Sequence, residues 1–189
     1  MRDRRYTGAM KQALKAIATQ PKTFVKTTLP TPLGGMQAVF SPTHLWLLCF
    51  EDTCEAIALL DHVPKGTNNV FRLFTKELQA YFEGALQIFE TPFHLEGTPF
   101  QQKVWQALLN IPYGHTQSYT AQSASLNHPK AVRAVANANG ANPLTLVVPC
   151  HRAIHKAGTL GGFRCGLQRK KWLLTHEKTF KHQEHKAFA

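Results

Sequence analysis

The chain has 189 residues, 43% hydrophobic and 17% charged, with a formal net charge of +11. That is room for one domain or two small ones with a core needing no disulfide support, and no apolar run approaches the roughly 20 residues of a membrane helix, so a membrane partner is not expected. The start, Met1-Arg2-Asp3-Arg4-Arg5, lacks a secretory signal's apolar core, and Cys49, Cys54, Cys150 and Cys165 contain no C-x-x-C pair, which points to reduced thiols and away from a structural metal.

Charge is divided unevenly. Residues 1–94 carry ten Lys/Arg against eight Asp/Glu, net +2, while residues 95–189 carry twelve against three, net +9. The second half is the part suited to meet a polyanion such as nucleic acid.

In chain order, residues 1–20 place Leu14, Ile17 and Ala18 at helical spacing, which fits a short amphipathic helix or a frayed leader. Between Thr23 and Asp52 the pattern turns to strands: Phe24-Val25, Met36 to Phe40 and Leu45 to Phe50, separated by proline- and glycine-rich turns, predict a small antiparallel sheet. Residues 68–83 then put Val70, Phe71, Phe74, Leu78, Tyr81 and Phe82 on one helical face, closed by Gly84. Residues 21–94 therefore read as an α/β unit with no visible chemistry.

A linker around Thr91-Pro92 to Gly97 leads into a second unit, residues 95–180, before a polar tail at 181–189. Thr98-Pro99-Phe100-Gln101 is a helix start with the elements of a capping box, and Ile111-Pro112-Tyr113-Gly114 ends that helix. Ser118 caps a short helix from Tyr119 to about Leu126, and Pro129 is expected to start another that ends near Gly140. The two make a helix-turn-helix candidate. The second would present Lys130, Arg133, Ala134 and Asn137 outward, with Val132 and Val135 turned to the core. Small residues between cationic and amide side chains let such a helix approach DNA closely.

Val147-Val148-Pro149-Cys150-His151-Arg152 reads as a buried strand that stops at a thiol with an imidazole beside it. A rigidly held cysteine suits a nucleophile, although free cysteine also packs as a small hydrophobe. Arg152 could position this turn by hydrogen bonds. The histidines at 94, 115, 128, 155 and 176 are expected to be surface or packed residues, Trp105 and Trp172 packing residues, and Arg169-Lys170-Lys171 a solvated face.

Gly97-Thr98-Pro99-Phe100-Gln101, Ile111-Pro112-Tyr113-Gly114, Ser118-Tyr119, Pro129-Lys130-Ala131-Val132-Arg133-Ala134-Val135, Ala138-Asn139-Gly140 with Asn142-Pro143, Pro149-Cys150-His151-Arg152 and Trp172-Leu173-Leu174-Thr175-His176-Glu177 together resemble the O6-alkylguanine-DNA alkyltransferase family, the methylated-DNA-protein-cysteine methyltransferases. The resemblance covers residues 97–177 in order and spacing. It implies an RNase H-like first domain, a mostly helical second domain with a helix-turn-helix, and a single-use repair protein in which Cys150 keeps the alkyl group taken from O6 of guanine, O4-methylthymine being a further candidate substrate. By the same resemblance His151 is a base acting through water, Glu177 orients it, and Asn142 is the hinge before the nucleophile. Tyr119 would turn the 3′ phosphate and Arg133 would fill the gap left by the flipped nucleotide, with Lys130, Ala134 and Asn137 at the DNA. Val148, Phe163, Arg164 and Cys165 would line the base pocket. The partner implied is double-stranded DNA gripped in the minor groove without sequence preference, by a monomer in a bacterial cytoplasm, associated with the nucleoid, with no cofactor and no metal.

Two further readings stand beside this one. A non-catalytic binder that flags alkylated DNA lacks the cysteine in such relatives, and a cysteine hydrolase leaves the +9 half without a role. The chain also departs from the family pattern. Phe163 stands where tyrosine is common, Arg164-Cys165 where small residues are common, Gln122 where an apolar residue is usual and Asn127 in place of a turn glycine, which asparagine tolerates through αL.

Overall fold

The computed structural model describes residues 8–53 and 60–182. Cys54, the first seven residues of the leader and most of the polar tail lie outside that range.

Three strands, β1 (Val25–Leu29), β2 (Met36–Phe40) and β3 (Leu45–Phe50), pair antiparallel in the order β1-β2-β3, as the alternating apolar segments anticipate. Because neighbouring side chains on a strand face opposite ways, the sheet offers two apolar faces. Met36, Ala38, Phe40, Leu48 and Phe50 pack with Val70, Phe74, Leu78 and Tyr81 of helix α2 (Asn69–Phe82). Val39, Leu47 and Cys49 pack on the other side with Leu14 and Ile17 of helix α1 (Gly8–Thr19). The described part of the leader is thus a helix, Gly8–Thr19, that covers a sheet face. Asn68 caps α2 through its side chain, and Gly84 follows its end at φ +77°, a conformation that disfavours any Cβ.

Helix α3 (Pro99–Leu109) begins with the capping box read from the sequence: Thr98 Oγ1 accepts from the Gln101 amide, and Gln101 accepts from the Thr98 amide. A two-residue strand β4 (Gln117–Ser118), helix α4 (Tyr119–Ser125) and helix α5 (Val132–Gly140) follow. Trp105 is wholly buried and donates to the Ala138 carbonyl at 2.9 Å, locking α3 to α5. Gln122, apolar by the family pattern, is fully buried but satisfied: its Nε2 donates to Val104 O and Asn139 Oδ1, and Asn139 Nδ2 returns a 2.7 Å bond to its Oε1. Asn127 sits at φ 60°, the αL position its side chain tolerates.

Two sequence expectations fail here. Pro129 does not start α5. It occupies the second position of a turn closed by the Ala131 amide on the His128 carbonyl at 2.8 Å, so the helix begins at Val132 and Lys130 belongs to the turn. Nor is the segment before Cys150 a strand. Leu146 lies at φ 78°, at a cost of about 1–2 kcal/mol, and reverses the chain so that the Val148 amide reaches Leu144 O. Residues 143–145 instead bond Leu48 of β3, through Pro143 O and the Thr145 amide, which carries the loop onto the first-half sheet. Cys150 opens a 3-10 turn, Cys150–Arg152, before the short strand β5 (Ala153–Ile154), which pairs parallel with β4. Helix α6 (Leu167–Phe180) closes the described fold.

Candidate active site

Cys150 is buried at 9% exposure and lines a cavity of about 510 Å³ together with Tyr119, Arg133, Asn137, Asn142, Phe163, Arg164 and Cys165. Burial pushes its thiol up to about 11; Cys165 adds to that, while a hydrogen bond from Asn142 and the charges of Arg164 and Lys170 oppose it. Asn142 is itself fixed. Its Nδ2 donates to Val148 O at 2.8 Å and to Cys150 Sγ at 3.3 Å, and its Oδ1 accepts from the Leu144 amide. One buried amide thereby holds the reversed loop and touches the thiol at its end.

Behind the cysteine lies a buried polar cluster centred on Glu177, whose two oxygens accept five hydrogen bonds. His151 Nε2 approaches at 2.8 Å, Arg152 Nε and Nη2 both at 2.9 Å, the Tyr81 hydroxyl at 2.9 Å and the Gly114 amide at 3.1 Å. Burial alone would raise the Glu177 carboxyl, but His151 and Arg152 overcome it and hold it well below the usual carboxylate range. An ionised carboxylate only accepts, so His151 Nε2 carries the proton and Nδ1 keeps its lone pair. Burial lowers the His151 pKa, against the pull of Glu177, and we take the imidazole as neutral at rest. Nδ1 is buried and bonds no protein group among the described residues. Gly114, at φ +71°, is required here: a Cβ would stand 2.9 Å from the Glu177 carbonyl oxygen.

The sequence-predicted residues separate into groups. Cys150, Asn142, Tyr119, Arg133, Asn137, Phe163, Arg164 and Cys165 share the cavity, whereas His151 and Glu177 form the support behind it. Val148 is not on the wall; its side chain is fully buried and its carbonyl serves Asn142. Val132, expected to turn inward, is half-buried against the core and also lines the cavity. Lys130 and Ala134 are exposed and stand outside it.

Residues 99–179 match the family described as 6-O-methylguanine DNA methyltransferase, DNA binding domain. A methylated-DNA–protein-cysteine methyltransferase of Salmonella typhimurium is 52% identical over 170 residues, covering 79% of this chain and 92% of the relative. The chain belongs to the methylated-DNA–protein-cysteine methyltransferase family. A probable family member from Acanthamoeba polyphaga mimivirus is 49% identical over 132 residues, covering 69% of this chain and 88% of its own. The crystal structure of the Mycobacterium tuberculosis O6-methylguanine methyltransferase superposes with a TM-score of 0.77 at 37% identity, covering 85% of this chain and 96% of that one. A structure of that mycobacterial protein in complex with DNA gives a TM-score of 0.74 at 36% identity.

In this methyltransferase-family chain, three contributors escaped the sequence reading. Lys170, assigned to a solvated face, is fully buried; its ammonium donates to Ala153 O at 2.6 Å and to Tyr119 Oη and Gly162 O at 3.3 Å. Burial lowers its pKa to about 8, with Cys150 pulling the other way. Its neighbour Arg169 is half-buried, paired with Asp52 and stacked 4.1 Å over Phe50, and Lys171 alone of the three is exposed. The second is Tyr81, which reads as an ordinary core aromatic and yet reaches Glu177. The third is Glu77, buried on α2, which accepts from the Glu90 and Thr91 amides and the Thr91 hydroxyl and so pins the linker. No local signal marks them, because each partner lies elsewhere in the chain. Trp172 also departs from expectation: it is 36% exposed and stacks on His176, whose Nε2 donates to Tyr81 O.

Proposed function

We propose that this protein repairs DNA by moving the alkyl group of O6-alkylguanine irreversibly to Cys150, one group per molecule. The observation that carries the reading is the placement of the Cys150 thiol at the wall of a cavity, held by Asn142 and backed by the His151–Glu177 pair. The thiol at about 11 is almost wholly protonated near neutrality, so it needs a base in reach during attack. His151 Nδ1 takes the proton through a water, Sγ bonds the alkyl carbon as the carbon–O6 bond breaks, and the guanine ring takes one proton to end as unmodified guanine. Glu177 supports the imidazolium formed on the way. The thioether has no route back to the thiol, and no cofactor enters the balance.

A base inside the duplex cannot reach a buried thiol, so the target nucleotide leaves the stack, at a cost of a few kcal/mol. In this reading α4 and α5 act as a helix-turn-helix in the minor groove, and exposed Arg133, at the cavity mouth, occupies the space vacated. Asn137 follows Arg133 by one helical turn, Lys130 and Ala134 flank it, and Tyr119 meets the backbone of the extruded nucleotide. Phe163, Arg164 and Cys165 form the base pocket. Binding is through phosphates, without sequence preference, by a monomer.

The test is the intact mass of the protein after incubation with an oligonucleotide containing one O6-methylguanine. The expected result is a gain of one methylene, stopping at one equivalent and absent in Cys150→Ala. Tight binding of the modified DNA with no mass gain would instead support a damage-flagging protein, and repeated turnover would support a hydrolase.

A further inference from the structure

Arg164 belongs to the cavity wall, but it does more than narrow it. Its Nη2 donates to the backbone carbonyl of Asn142 at 2.9 Å, and Asn142 in turn donates its amide to Cys150 Sγ at 3.3 Å. A guanidinium on the loop after β5 is thereby fastened to the residue whose amide hydrogen-bonds the nucleophile's sulfur. We propose that Arg164 is a positioning residue that activates Cys150, holding Asn142 against the sulfur and keeping a permanent positive charge on the wall of the cavity in which the reaction's negative charge resides.

Three observations support this role. First, Arg164 has no carboxylate partner among the described residues; its one protein hydrogen bond is to a carbonyl, so its charge is not spent on an ion pair. Second, the charged groups facing the thiol are few. Lys170 from α6 and Arg164 from the loop are the cations that favour the thiolate, Cys165 disfavours it, and His151 beside it is neutral and turned to Glu177. Arg133 also lines the cavity but is exposed and does not act on the thiol; of the two cations that do, Lys170 already donates to three oxygens, which leaves Arg164 with donors to spare. Third, the anion never leaves the cavity during transfer. It begins on sulfur and ends on the departing guanine, so a fixed cation on the wall favours every stage after proton loss relative to the resting neutral thiol. Arginine suits the position because its planar fork bonds the carbonyl with one donor and keeps others, and the charge, turned to the cavity.

This inference rests on the proposed function only for the identity of the anion's destination, and its test does not depend on DNA. Cys150 is alkylated with iodoacetamide in the full chain without nucleic acid, and labelling at Cys150 is followed by peptide mass in the native protein, Arg164→Gln and Arg164→Lys. Glutamine keeps a donor for the Asn142 carbonyl and loses the charge; lysine keeps the charge. At pH 7.5 the glutamine variant is expected to label about ten-fold more slowly, the effect of one unit in thiol pKa, and the lysine variant to recover most of that loss. Ultraviolet titration of each protein against its Cys150→Ala counterpart should place the thiolate transition higher for glutamine than for the native chain. Equal labelling of Arg164→Gln and native protein would overturn the proposal, as would a lysine variant no faster than the glutamine one. A native protein that fails to take methyl from DNA while these differences hold would overturn the repair reading and leave the role of Arg164 standing.

Discussion

Replacing Glu177 with glutamine changes almost no volume and should nevertheless damage both stability and chemistry. All five groups around the carboxylate are donors, two of them on Arg152, which is 7% exposed. A glutamine can satisfy the Gly114 amide and Arg152 Nε with its oxygen, but its NH₂ then faces the Tyr81 hydroxyl, His151 Nε2 and Arg152 Nη2. The tyrosine can rotate and the histidine can change tautomer; the guanidinium cannot accept, and its charge is left without a counter-ion. Breaking a buried ion pair from one side costs about 3–5 kcal/mol, a large share of the roughly 5–15 kcal/mol that holds a domain together. Equilibrium urea unfolding at neutral pH reads this directly. The carboxyl is held well below its ordinary 4.5, so its contribution is fully present above that value and is lost as pH falls below it toward the folded-state pKa. The gap between native protein and variant should therefore close on acidification. The tautomer change also puts the proton on His151 Nδ1 and removes the base, so methyl transfer should slow even where the variant is folded. A loss under about 1 kcal/mol, far below what an unpaired buried charge costs, would refute the cluster as described.

Further outcomes follow from the same contacts. Asn142→Ala removes four buried hydrogen bonds, one of them to Sγ; the thiol pKa should rise further, visible as a shift of iodoacetamide labelling to higher pH, with about 1–3 kcal/mol lost in urea. Gln122→Leu restores the apolar residue usual in the family but strands Asn139, and is expected to cost about 1–3 kcal/mol instead of stabilising. Trp105→Phe loses the bond to Ala138 O and leaves a cavity between α3 and α5, for about 1–3 kcal/mol in the same assay. Because Arg164 and Cys165 are bulky walls, transfer from O6-methylguanine should outpace transfer from O6-benzylguanine in competition; comparable rates would show that the loop moves aside.

The legible parts of the fold are those whose cause is local. Strand alternation from Met36 to Phe50, the Thr98 capping box and the αL asparagine at 127 are each decided by residues a few positions apart, and each stands where the sequence places it. The placement of α5 turns on whether a proline serves a helix or a turn, and the answer comes from Ser123 and His128, which hold the preceding turn through hydrogen bonds to its backbone. Val147-Val148 has strand composition, but the bonds of residues 143–145 to Leu48 override it. Within the site, Cys150, His151, Asn142 and Glu177 are legible through a motif. Lys170 is not: a lysine between an arginine and a lysine reads as surface, and only the three oxygens that converge on its ammonium account for its burial. Tyr81 fails to announce itself for a related reason, since burial of its ring and use of its hydroxyl follow from the same position on α2.

The hydrogen bond from Tyr81 to Glu177 joins positions 96 residues apart, and it bears on how such a chain can be inherited. A crossover near residue 95 that joined the first part of one relative to the second part of another would bring together a tyrosine and a carboxylate shaped by different ancestors. Any mismatch would surface at the histidine the carboxylate steers, as a slower reaction in a protein that still folds. Residues 81, 114, 152 and 177 should therefore change together across lineages, and recombinants that keep this quartet from one parent should be the ones that survive an alkylating challenge.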